Sequence, residues 1–198
     1  GTARRLLEEA LQLAEARGEA LTSAAVDLQV GISELALEVA DLESATRHLD
    51  LAEALGRRAS RVESRYRWFA ARSRVVEASG DPEQAIALLE VAEQHYRPGF
   101  FPDVRPLAAM KARVRITQGN LPHAADWARE RGLSATDAPE YLSEFDHLTL
   151  VRLLIAQHRA HPAAGGLDPA DALLERLAEA ADSSGRAGSL LEIRMLQA

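Results

Sequence analysis

The sequence predicts an all-α protein, a right-handed superhelical solenoid of antiparallel helix pairs with about nine to ten helices. A phrase recurs about every 40 residues, with turn positions at Ala40, Gly80 and Gly119. Five residues after each turn stands an alanine (Ala45, Ala85, Ala124), and four further on stand Leu49, Leu89 and Ala128. Strand signals are nearly missing: β-branched runs are few, and no Asn-Gly or Asp-Gly hairpin turn occurs. Self-similarity at such a period means that each unit buries its apolar face against its neighbours. Solenoids of this kind mostly bind other molecules.

Each element has its own local reason. Residues 3–16 form an amphipathic helix that carries the second-helix phrase at Ala3, Leu7 and Ala10. Helix pairs follow at about 22–39 and 42–55, 60–79 and 82–96, 104–118 and 121–131, and 139–160 and 169–182, and a last helix begins near 188. Grouped as repeats within one domain of residues 1–198, these are a half repeat at 1–17, units at 22–56, 60–97, 103–132 and 139–183, and a half repeat at 188–198. Asp81-Pro82, with Gln84 behind it, places an N-cap carboxylate before a first-turn proline. Asp168-Pro169, with Asp171, repeats the device. Gly80 and Gly119 sit where a C-terminal glycine ends a helix. Two connections break the regularity: residues 97–102, with Pro98, Phe100, Phe101 and Pro102, and the small-residue stretch 161–167.

Composition removes several function classes. At 198 residues the chain can bury roughly 70% of its unfolded surface without staples. It has no cysteine, which excludes disulfides, thiolate metal sites and cysteine nucleophiles. The net charge is −7 with no basic stripe, a poor basis for binding nucleic acid. All basic residues but Lys111 are arginine, a bias that genomic base composition explains. No apolar run approaches the roughly 18 residues that span a bilayer, and no signal peptide is visible, so the expected compartment is the cytoplasm. The chain opens on Gly1 and enters a helix almost at once, so it reads as a piece of a longer protein.

The repeat looks like a divergent tetratricopeptide unit, longer than the roughly 34-residue standard. Four stretches narrow the likeness: residues 100–106 (FFPDVRP), 127–134 (WARERGLS), 141–157 (YLSEFDHLTLVRLLIAQ) and 185–193 (GRAGSLLEI). They resemble the tetratricopeptide-like region of large ATP-dependent LuxR-type, MalT-like transcriptional regulators. That resemblance implies a nucleotide-binding module before this region, a DNA-binding helix-turn-helix after it, and a sensing role for the helices themselves. A phosphate-binding loop needs Gly-Lys followed by Ser or Thr, and Lys111 follows Met110, so ATP is implied only for the other module and no cofactor is expected here. One departure is His158, which stands where the repeat turn would have glycine.

The sharpest local signal is an arginine ladder. Arg74, Arg113 and Arg152 each lie six residues before a repeat turn position, and the preceding unit has Glu34 there. Stacked in a row, three guanidiniums could clamp carboxylates or phosphates. The competing reading is that each stem packs between helices and ends in a local ion pair. The aromatics Tyr66, Trp68, Phe69, Tyr96, Phe100 and Phe101 cluster within a chain that is only 5% aromatic. They read either as a docking patch or as inter-repeat core, and Phe100 and Phe101 are the harder to explain as core because they fall in a loop. His158 and His161 form a close pair that could share a metal, but the chain leaves the helix there and solvated histidines fit better.

The functional expectation is a non-enzymatic sensor. A small-molecule inducer, or a protein or peptide, would sit in the concave groove and shift the balance of the missing ATPase and DNA-binding modules. The alternative is a stand-alone protein-interaction scaffold, with possible self-association and no small ligand. Neither reading involves a membrane or direct contact with nucleic acid. No nucleophile is paired with an oriented base, which argues against catalysis.

Overall fold

A computed structural model describes residues 2–16, 22–56, 63–97, 99, 103–162 and 166–198. Among these residues there are ten α-helices and no strand. In chain order they are α1 (Thr2–Ala16), α2 (Thr22–Glu38), α3 (Leu42–Gly56), α4 (Glu63–Ala78), α5 (Pro82–His95), α6 (Leu107–Thr117), α7 (Leu121–Glu130), α8 (Glu144–Ala160), α9 (Asp168–Ser183) and α10 (Ala187–Gln197). A 3-10 turn at Tyr141–Ser143 leads into α8. The contacts divide the chain into two compact units, residues 1–98 and 99–198. In the first, α1 packs on α2, α2 on α3 and α4 on α5, while α4 also touches α2 and α3. In the second, α6 packs on α7 and α8, α8 on α7, α9 and α10, and α9 on α10. Neighbouring antiparallel pairs joined through their first helices are the pattern of a tetratricopeptide-like helical repeat.

The repeat turn has one geometry throughout. Ala40, Gly80 and Gly119 have φ of 57°, 91° and 73°. After each, the next amide reaches back into the last helical turn: Asp41 to the Ala36 carbonyl, Asp81 to Val76, Asn120 to Arg115. The turn residue itself donates to Leu37, Glu77 or Ile116. These two bonds satisfy carbonyls that a helix end leaves open. Gly132 and Gly185, at φ of 65° and 66°, close α7 and α9 in the same way. Glycine adopts this left-handed conformation freely, and Ala40 adopts it at a cost.

The recurring alanines are where the helices meet. Ala45, Ala85 and Ala124 are each fully buried, as are Leu49 and Leu89. Ala52, Ala92 and Ala128 complete the stripe. In α1 the same phrase is covered less well: Leu7 and Ala10 are half-buried and Ala3 is exposed. The first core gathers Val26, Val30, Leu49, Ala71 and Val75, and the second gathers Trp127, Leu148, Val151, Leu173, Leu177 and Ile193.

Three local expectations need correction. Asp81 caps α5 as expected, its carboxylate accepting from the Gln84 amide at 2.9 Å. Asp168 does not cap: α9 already includes it, Leu167 holds the cap position, and no side chain bonds the free amides. Its charge therefore acts on the helix dipole only. α8 ends at Ala160 as expected, and His158, at the repeat-turn register, lies inside it because no glycine offers the left-handed exit there. The helix expected from 104 starts at Leu107, since the residue before Pro106 is held away from helical geometry. α8 also starts later than expected, at Glu144, because the chain first makes the 3-10 turn at Tyr141–Ser143.

Candidate ligand site

On α8, Phe145, Thr149 and Arg152 fall at intervals of four and three, so they share one face. That face meets Arg113 from α6. The Arg113 guanidinium stacks on the Phe145 ring, 3.7 Å from its centroid, and Arg105 approaches the same ring at 5.9 Å. Arg113 Nε donates to Thr149 Oγ1 at 2.8 Å. The Thr149 hydroxyl passes its own hydrogen to the Phe145 carbonyl at 2.7 Å. Stacking on one side and an oriented acceptor on the other hold the guanidinium plane in place.

Both ladder arginines of this unit converge on one carboxylate from α10. Glu192 Oε1 lies 2.9 Å from Arg113 Nη1 and 3.0 Å from Arg152 Nη2, and Arg152 Nε adds a 3.3 Å bond to the same oxygen. Burial pushes the Arg113 guanidinium down to about 10, aided by Arg152 and Arg105 and opposed by Glu192. For Glu192, burial works to raise the carboxyl, but Arg113 and Arg152 together outweigh it and hold it below the ordinary value. Arg113 Nη2 is buried with no hydrogen-bond partner. The cluster thus holds two cations to one anion, with donors in excess of acceptors.

Glu192 was missed in the sequence, although a signal was present. It stands 40 residues after Arg152, so the ladder reads Glu34, Arg74, Arg113, Arg152, Glu192. Phe145 and Thr149 had no such signal, since helical spacing on α8 does not show which face α6 covers. In the first unit, Arg74 Nη2 pairs with Glu38 on α2 at 3.0 Å, and Glu34 pairs with Arg67 at 2.7 Å. Each arginine of the ladder therefore ends in an ion pair with a neighbouring helix. Phe100 and Phe101 lie outside the described residues. The other aromatics are half-buried and packed together: Tyr66 meets Tyr96 edge-on, Trp68 meets Phe69 edge-on, and Phe69 stacks on His95. Trp68 Nε1 also donates to the Leu49 carbonyl at 2.8 Å.

The remaining buried polar groups of the second unit join elements. Glu144 at the start of α8 accepts from Arg186 at 2.9 and 3.1 Å and from Ser189 at 2.5 Å, tying α8 to the α9–α10 turn. Asp146 pairs with Arg131 at 2.7 Å. Asp137 accepts from the Ser134 amide and faces His147 across 3.4 Å, while Arg176 donates to the Ala135 and Asp137 carbonyls. His158 is half-buried and His161 exposed, and both line a cleft of about 350 Å³ with Leu154, Gln157 and Pro169. No arginine of the ladder lines that cleft.

Antiparallel helix pairs closed by left-handed turns, with a charged row on their first helices, define a helical-repeat interaction region. More narrowly, the chain belongs to the MalT-like TPR region family, which matches it over residues 1–198. No curated protein and no solved structure matches it significantly. The family makes it a sensor or interaction domain of a regulator in the broad sense. Among the described residues, no helix is long and apolar enough to cross a membrane.

Proposed function

We propose that this chain is the sensing region of a LuxR-type, MalT-like transcriptional regulator, working in the cytoplasm and without chemistry of its own. An inducer binds the helical array and shifts its conformational balance, and that shift reaches ATPase and DNA-binding modules elsewhere in the longer protein. The observation that carries this reading is the pairing of Arg113 and Arg152 on a single Glu192 oxygen. It is a cationic, partly desolvated cluster at the first-helix register, where guanidiniums recognise oxyanions. Arg74 stands at the same register in the other unit.

A stand-alone interaction scaffold is the second reading, favoured by Leu191 and Met195, exposed one turn apart on α10. Thermal shift against a metabolite panel separates the two. Sensing requires a saturable rise in melting temperature with at least one metabolite, and a rise that the Arg152→Gln variant loses places the ligand at the arginine cluster. Silence across the panel, combined with self-association in sedimentation runs at rising concentration, would overturn sensing in favour of the scaffold.

A further inference from the structure

Resting on the sensing reading, we propose that Glu192 is a built-in counter-ion, displaced by a ligand that bears a carboxylate or phosphate, and that its displacement loosens α10 from α6 and α8. The acceptors in the cluster are too few for its donors. All three guanidinium contacts of Glu192 fall on the one oxygen Oε1, so neither arginine makes the two-oxygen fork that matches its geometry best. Arg113 Nη2 has no partner at all, although it is buried and its plane is fixed by Phe145 and Thr149. A free oxyanion with two or three accepting oxygens fills these positions better than a tethered side chain that offers one.

Its release would have a mechanical result because Glu192 sits on α10. That helix has one fully buried large side chain, Ile193, and shows Leu191 and Met195 to solvent. Its other polar ties run from Arg186 and Ser189 to Glu144, at its start. The Glu192 contacts are the ion pairs in the body of α10 that reach both α6 and α8. A ligand that takes over Arg113 and Arg152 therefore acts directly on how firmly α10 is held.

The test titrates the 198-residue chain with sodium phosphate and, separately, with citrate, at constant ionic strength. Calorimetry reads affinity, and amide hydrogen exchange reads residues 187–197. The expected result is saturable binding of at least one anion, with exchange in α10 accelerated several-fold while α9 is unchanged. Response to phosphate alone assigns a phosphorylated ligand, and response to citrate alone a carboxylate. Glu192→Gln is expected to bind about tenfold more tightly, the order of one charge-assisted hydrogen bond, and Arg152→Gln to bind at least tenfold more weakly. The proposal is overturned if neither anion binds to the chain or to Glu192→Gln, or if binding leaves α10 exchange unaltered. An inducer response untouched by both substitutions would overturn the counter-ion and leave sensing standing. Anion binding with α10 loosening, in a chain silent to every panel metabolite, would do the reverse.

Discussion

Ala40 occupies a position that Gly80, Gly119, Gly132 and Gly185 occupy at the other turns, and it holds φ at 57° with a Cβ in place. For an L-residue that region costs roughly 1–2 kcal/mol, partly offset by the lower entropy of an unfolded alanine. Ala40→Gly is expected to stabilise the first unit by about 0.5–1 kcal/mol in urea unfolding. Gly119→Ala should destabilise the second by about 1 kcal/mol, and the cause is backbone alone, because a Cβ there meets nothing within 4 Å. His48 offers a second residue-scale test. Its Nδ1 donates to Gln29 Oε1 at 2.6 Å, and burial, then Arg47 and Arg4, lower its pKa from 6.5. Below pH 6.5 the unfolded chain then binds more protons than the folded one, so this contribution is complete above 6.5 and falls as pH drops toward the lowered value. Wild type is expected to lose more stability between pH 8 and pH 5 than His48→Gln does, measured by urea midpoints at each pH. Equal losses would contradict the assignment.

Among the elements, α5 shows how a repeat face is read and tested. Ala85 and Leu89 are fully buried, whereas Ala87 is exposed. Ala85→Leu is expected to cost roughly 1–3 kcal/mol through overpacking, and Ala87→Leu to stay within about 0.5 kcal/mol of wild type. Similar effects of the two in urea unfolding would mean that the alanine phrase does not mark the contact line. The phrase was legible in the sequence because close helix packing needs a small residue at a fixed offset from the turn. The turns were legible because a left-handed exit favours glycine. The start at Leu107 was not, since Pro106 displaced it, nor was the start at Glu144, where a 3-10 turn precedes the helix. Pairings such as Glu144 with Arg186, 42 residues apart, depend on how successive pairs stack, which local pattern does not encode. Glu192 is the instructive case, because the ladder already contained it and only one more step of 40 was needed. What the sequence could not show was that its carboxylate would meet two arginines rather than one.

At the scale of the whole molecule, charge decides whether the chain itself can hold nucleic acid. Acidic residues outnumber basic ones 30 to 23, and the arginines are widely committed to carboxylates. Arg67 pairs with Glu34, Arg72 with Asp50, Arg74 with Glu38, Arg131 with Asp146 and Arg186 with Glu144. Phosphate contacts supply nearly all non-specific affinity for duplex DNA, and each needs a cation that can trade its counter-ion for the backbone. A net-negative surface with its guanidiniums already paired repels the duplex instead. The isolated chain is therefore expected to show no binding to a 30-base-pair duplex by fluorescence anisotropy at about 150 mM salt, and none that emerges at about 50 mM. A dissociation constant below about 10 μM that weakens steeply with salt would reveal a phosphate-binding face and contradict this. Under the proposed sensing reading, the expected result leaves DNA recognition to another module. It confines this region's part in regulation to sensing and contact, where paired arginines serve better than free ones, because a ligand that enters must displace something and so can move a helix.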